Sequence, residues 1–209
     1  MAPESTIKSL LREDISFSAP FTVSDLPHKA KLDQNESPFD LPEDVKTFML
    51  EKLRECQWNR YPQPLMYAEV KEAFARVIGF SPENIILTIG CDQLIQGAYL
   101  VAGGHDRKAL VFEPTYPMFC HAAQFNRTKV TRVQLAADEM VTRNHIDSSN
   151  HHIVFIVAPN NPTGTIPEDG VIEAALLKNS LIFVDEAYGD FSKKTWTHLL
   201  KDHHNLFIA

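Results

Sequence analysis

Four short polar clusters stand out in this 209-residue chain, because each follows an apolar run and joins a turn-forming residue to ligand-binding side chains. The first is Gly90-Cys91-Asp92-Gln93. Its glycine permits a tight turn, and the free amides of Cys91 and Asp92 at a helix N-terminus would suit a phosphate; Asp92 read alone would equally serve as a helix N-cap. The second is Glu113-Pro114-Thr115-Tyr116-Pro117, where two prolines hold Tyr116 so that its ring could stack on a flat ligand or simply pack in a turn. The third, Asn160-Asn161-Pro162-Thr163-Gly164, is a polar turn, and an ordinary turn needs neither a second asparagine nor a threonine. The fourth is Asp185-Glu186-Ala187-Tyr188. A carboxylate at the end of a buried strand costs several kcal/mol unless a cation offsets it, and a helix cap would account for Asp185 but leave Tyr188 unexplained.

The elements that must position these clusters can be read from the apolar spacing. Val45, Phe48, Met49 and Leu53 fall at helical intervals and predict an amphipathic helix over 43–56, entered through Pro42. A proline-rich break at Tyr61-Pro62-Gln63-Pro64 marks the expected start of the main domain. Beyond it the signals alternate. Helices are expected over 67–78, 92–101, 117–125 and 168–177, and strands over 85–88, 108–112, 129–133, 153–157, 181–184 and from Leu206 to Ala209. The stretch 136–150 carries no clear period. Short apolar strands separated by helices predict an α/β fold with a mostly parallel sheet covered by helices on both faces. In such a sheet ligands gather at the carboxyl ends of the strands, where all four clusters fall.

Composition narrows the partners. A formal charge of -7, from 27 acidic and 20 basic residues with no Lys/Arg block, makes nucleic acid and anionic membranes poor partners. Three cysteines without CxxC spacing fit a reducing cytoplasm better than a disulfide framework. Among the nine histidines, the adjacent pairs His151-His152 and His203-His204 would point to opposite faces of a strand, so no metal site is expected. No apolar run approaches the roughly 20 residues of a membrane helix, and the first residues lack the apolar core of an export signal. A soluble, unexported protein is the expectation.

Taken together and in this order, the four clusters resemble the fold-type-I enzymes that use pyridoxal 5'-phosphate (PLP), and within them the histidinol-phosphate aminotransferases. The likeness extends back to Lys31-Leu32-Asp33-Gln34-Asn35-Glu36-Ser37-Pro38 and to Arg60-Tyr61-Pro62. It implies that the amides of Cys91 and Asp92 hold the PLP phosphate, that Tyr116 stacks on the pyridine ring, and that Asn161 and Tyr188 bond its phenolic oxygen. Asp185 would pair with the protonated ring nitrogen, which makes the cofactor an electron sink. Tyr61 would reach the phosphate of the neighbouring subunit in a homodimer, and Asn35 and Glu36 would lie near the mouth of the substrate site. Cys91 departs from the serine usual in that family, so a hydroxyl contact to phosphate would be lost or weakened.

The resemblance also implies a lysine that forms a Schiff base with the cofactor, roughly thirty residues beyond the aspartate. Ala209 stands twenty-four residues after Asp185, and Lys178, Lys193, Lys194 and Lys201 are poor substitutes. No catalytic residue is therefore expected within this chain, and the fold is expected to be truncated before completion and inactive alone. The implied organisation is an N-terminal arm with part of a small domain over 1–42, a connecting helix and linker over 43–60, and an incomplete PLP-binding domain over 61–209. The implied reaction interconverts histidinol phosphate and imidazole-acetol phosphate with glutamate and 2-oxoglutarate. The rival readings are a related enzyme such as threonine-phosphate decarboxylase, and a non-catalytic truncated paralogue or docking subunit.

Overall fold

A computed structural model of the chain describes residues 9–15, 29–136, 138–147 and 150–209. Half of the expected N-terminal segment 1–42, including Pro3, Pro20 and Pro27, lies outside these residues. The chain forms two compact units, one comprising Met1–Ser16 with Ile86–Ala209 and the other Phe17–Ile85.

The smaller unit carries two helices, α1 (Glu43–Glu55) and α2 (Pro64–Ile78). Pro42 caps α1, whose first turn is acidic (Glu43, Asp44) and whose last turn is basic (Lys52, Arg54), the arrangement that complements the helix dipole. Helix α2 begins three residues before the expected position because Pro64 occupies its first turn, where a missing N–H costs nothing. It ends at Gly79, whose φ of 73° closes the helix with an N–H···O bond of 2.9 Å to Ala75.

The larger unit is built on a five-stranded, fully parallel sheet. In chain order it contains α3 (Gly90–Ala102), β1 (Lys108–Glu113), α4 (Met118–Phe125), β2 (Lys129–Gln134), α5 (Arg143–Asp147), β3 (Ile153–Val157), α6 (Val171–Leu176), β4 (Leu181–Asp185), α7 (Gly189–Ser192) and β5 (Leu206–Ile208). The strands lie in the order β2-β1-β3-β4-β5, each pair parallel. The two-residue period of the strands splits their side chains between two cores. Leu110, Phe112, Val154, Ile156, Ile182 and Val184 pack with Ile146 of α5 and with Val171, Ile172 and Ala175 of α6. Ala109, Val111, Ile153, Phe155 and Phe183 face the opposite way, against Ile95 and Tyr99 of α3 and Phe119 and Ala123 of α4. Each fully buried Phe or Ile contributes about 1.5–3 kcal/mol, which is why these strands read as continuous apolar runs.

Two local features fix the ends of α3 and α4. A Cβ on Gly103 would sit 2.5 Å from both Thr128 Oγ1 and the Tyr99 carbonyl oxygen, so only glycine lets the end of α3 approach the start of β2. Arg12 donates through Nη1 to the Phe125 carbonyl at 2.8 Å, and Asp14 pairs with Arg127 at 3.2 Å. The described part of the N-terminal arm thus supplies donors to the last turn of α4, whose carbonyls lack helical partners.

One expected strand does not form. Residues 85–88 pair with no other strand among the described residues, although Ile85 is extended (φ −106°, ψ 128°). Apolar spacing reports a tendency to be buried, whereas a strand also needs a neighbour to complete its ladder. Ile86 and Ile89 are exposed here, Ile89 by 91%. The stretch without a clear period contains the one-turn helix α5, which buries a single residue, Ile146.

Candidate functional site

The strand order reverses between β1 and β3. From β1 the chain moves outward to β2, returns past β1 to β3, and then continues in the other direction through β4 and β5. A crevice at the carboxyl ends of the strands is expected at such a switch point. The loops after β1, β3 and β4 and the start of α3 all meet there.

The loop after β1 and the loop after β3 are joined by side-chain hydrogen bonds. Thr115 Oγ1 donates to Asn160 Oδ1 at 2.8 Å, while Asn160 Nδ2 donates to the Pro114 carbonyl at 2.9 Å and to Thr163 Oγ1 at 2.8 Å. The peptide bonds Glu113–Pro114, Ala158–Pro159 and Asn161–Pro162 are cis. Asn160 therefore spends its amide on holding the two loops together. The half-buried Asn161 makes no side-chain hydrogen bond within the described chain, so its carboxamide is left for something else. The resemblance implied a role for Asn161 and none for Thr115 and Asn160, although both stand in the polar clusters; their mutual partners lie more than forty positions apart. The paired asparagines were the one available signal.

Asp185 is the last residue of β4 and is 5% exposed. Its Oδ1 accepts the Ala187 amide at 3.0 Å and its Oδ2 accepts the Cys91 thiol at 3.4 Å. Burial pushes its pKa above the ordinary carboxylate value; the two hydrogen bonds pull it partly back, and the charge of Asp92 adds to the rise. Among the described residues no cation lies within ion-pairing distance of it. A buried carboxylate without a cationic partner is costly, and this one ends β4 at the carboxyl edge of the sheet, next to β3.

Cys91 and Asp92 open α3, whose N-cap is Ile89, a side chain unable to accept from the first-turn amides. The sequence cluster thus does form a helix N-terminus, and Asp92 lies inside the helix rather than at its cap. Burial, and next the charge of Asp185, push the Cys91 thiol up to about 12, so the thiol remains protonated and acts as the donor. Tyr116, half-buried in the loop after β1, donates its phenol proton to Asp92 Oδ1 at 3.0 Å and stands edge-on to Phe119 with centroids 6.2 Å apart. Tyr188 is half-buried at the head of α7.

Glu186 is a residue that motif reading missed as a support. Its Oε1 accepts the Trp196 amide at 2.8 Å, which ties down the segment carrying Tyr188, and burial raises its pKa. The remaining expected residues, Asn35, Glu36 and Tyr61, belong to the smaller unit. Glu36 pairs with Lys31, Asn35 adopts a left-handed φ of 54°, and Tyr61 is 93% exposed. Among the described residues, no group of three or more His, Cys, Asp or Glu could hold a metal ion, and no helix is long and apolar enough to cross a membrane.

The chain is similar to known proteins in sequence and in fold. The chain is 32% identical to the histidinol-phosphate aminotransferase of Thermococcus gammatolerans over 202 residues, covering 95% of this chain and 58% of that protein. It is 35% identical to histidinol-phosphate aminotransferase 1 of Carboxydothermus hydrogenoformans over 185 residues, covering 87% and 53%. The chain thus spans a little over half the length of these curated relatives. Its fold matches the crystal structure of the histidinol-phosphate aminotransferase from Clostridium acetobutylicum with a TM-score of 0.71 at 20% identity, over 83% of this chain and 53% of that one. It also matches the enzyme from Sinorhizobium meliloti, solved in complex with pyridoxal-5'-phosphate, with a TM-score of 0.65 at 24% identity, over 75% and 44%. The model of the family "Aminotransferase class I and II" matches residues 27–209, the whole of the sheet and every cluster at its carboxyl edge. The chain belongs to that family.

Proposed function

We propose that this chain supplies the cofactor-binding part of a PLP-dependent aminotransferase acting on histidinol phosphate with glutamate as the partner amino acid. Asp185 carries the reading: a carboxylate 5% exposed, held by two donors and lacking a cation, at the end of a central strand. The protonated ring nitrogen of PLP is a cation of the right size and shape for that position, and when bound it supplies the electron-withdrawing ring that amino-group chemistry needs. The uncapped amides of Cys91 and Asp92 suit its phosphate. The ring of Tyr116 would lie against its face, and Asn161 and Tyr188 would bond its phenolic oxygen.

The rest of the reading rests on the relatives. Their names support histidinol phosphate as substrate. Tyr61 would reach the phosphate of the second subunit in a homodimer, and its exposure is compatible with that. Asn35 and Glu36 would lie near the substrate. The division into an arm (1–42), a connecting helix and linker (43–60) and a cofactor-binding domain (61–209) belongs to the same reading, as does a cytoplasmic location, supported by three unpaired cysteines.

The test is amino transfer from histidinol phosphate to 2-oxoglutarate by the whole protein in the presence of PLP. Turnover that falls at least about 100-fold in D185N, equivalent to about 2.7 kcal/mol, is the expected result. Absence of PLP-dependent turnover, or full activity in D185N, would overturn it.

A further inference from the structure

Cys91 is tied to the carboxylate rather than to the phosphate end of the candidate site. Its backbone opens α3, yet its side chain turns inward, and Sγ lies 3.4 Å from Asp185 Oδ2 across 94 positions of sequence. Among the described residues Asp185 has one other hydrogen-bond donor, the Ala187 amide on Oδ1. The two donors occupy different oxygens, which fixes the plane of the carboxylate. We propose that Cys91 is a positioning residue that donates its thiol proton to Asp185, orienting that carboxylate toward the crevice and keeping it ionised for a cationic ring.

Three further features agree with this. The thiol is half-buried and stays protonated well past neutral pH, so it donates throughout the range in which the site would work. The titratable groups facing it are Asp185, Asp92 and Tyr116, none of them cationic, so no neighbouring side-chain charge favours a thiolate, and burial with the charge of Asp185 outweighs the helix N-terminus. Asp92 is itself occupied by the Tyr116 phenol, which leaves Asp185 as the acceptor for the thiol. A serine at this position would be the shorter and stronger donor, and an alanine would supply none.

The proposal rests on the cofactor reading above for its purpose, and its test separates the two. Residue-resolved alkylation of Cys91 by iodoacetamide, followed by mass spectrometry from about pH 7 to 11, reads the thiol directly without any cofactor. In D185N the rate of Cys91 alkylation at each pH of this series should rise about tenfold or more, the equivalent of one pH unit of acidity, while the rate at Cys56 stays unchanged. An unshifted Cys91 profile overturns the proposal. Should D185N fold poorly, the infrared S–H stretch of the unsubstituted chain, assigned by its loss in C91S, decides instead: a hydrogen-bonded frequency supports the pairing and a free-thiol frequency overturns it. PLP affinity then tests the purpose. C91A should bind about tenfold more weakly and C91S about as well as the native chain; equal affinity in C91A and the native chain overturns the positioning role. A shifted Cys91 profile in a chain that binds no PLP would support the pairing and sink the cofactor reading alone.

Discussion

The phenol of Tyr116 donates to Asp92 Oδ1 at 3.0 Å, linking the loop after β1 to the first turn of α3. That bond fixes a ring at one side of the crevice and a helix N-terminus at the other, so two clusters read separately in the sequence become one surface. Burial, then the hydrogen bond to Asp92 and the charge of Asp92, push the Tyr116 pKa up to about 12. The folded chain therefore keeps this phenol's proton after the unfolded chain has lost it, and its contribution to stability falls as pH rises above about 10. Ultraviolet titration of the native chain against Y116F should assign to Tyr116 an ionisation delayed to about pH 12, and Y116F should cost about 0.5–1.5 kcal/mol in urea denaturation at pH 7. A Tyr116 that ionises with the exposed tyrosines would break the link.

The two adjacent asparagines should behave differently. Asn160 joins Thr115, Pro114 and Thr163, so N160A should destabilise the chain by about 1–3 kcal/mol. Asn161 has no side-chain hydrogen-bond partner among the described residues, and N161A should stay within about 0.5 kcal/mol of the native chain while weakening PLP binding about fivefold. Urea denaturation and a PLP titration on the same two variants suffice, and equal destabilisation by both would contradict the assignment.

Asp185 predicts a pH dependence of the cofactor-free chain with a sign opposite to that of an ion-paired aspartate. Its folded pKa is raised by burial, so folding takes up a proton in the window just above the ordinary value of 3.8. Stability contributed by this group is therefore largest in acid and falls as pH rises through that window. In the absence of PLP, D185N should be more stable than the native chain at pH 7, and the gap should close as the pH approaches 4. Denaturation midpoints at several pH values measure this; a D185N chain less stable at neutral pH would mean that a cation already compensates the carboxylate.

Strands β1, β3 and β4 were legible because burial on both sides makes them continuous apolar runs, whereas the edge strand β2 has no buried residue and was read from Val130 and Val133 set among polar neighbours. Ile153 to Val157 was expected and found at the same bounds, and β1, β2 and β4 differ from expectation by one residue at an end. Residues 85–88 were misread because Ile85, Ile86 and Leu87 carry the same pattern without a pairing partner. The start of α2 was misplaced because Pro64 reads as a breaker from one side and as a first-turn residue from the other. Within the site, Asp185 was legible from the cost of ending a buried strand in a carboxylate. The thiol of Cys91 was not, since spacing reveals a helix N-terminus but not the direction of a side chain pointing back across the sheet. The same limit hid Asn160 and Glu186, whose partners are set by loop geometry rather than by local pattern.

The most direct measurement is the affinity of this chain for PLP beside a PLP analogue in which carbon replaces the ring nitrogen, each with native Asp185 and with D185N. The account predicts saturable PLP binding by the native chain, weakened about 10- to 100-fold in D185N, as expected for a charge-assisted hydrogen bond. The analogue should bind weakly and be indifferent to the substitution. PLP and its analogue binding alike, or D185N binding PLP as tightly as the native chain, would contradict the assignment of Asp185 as the partner of a cationic ring.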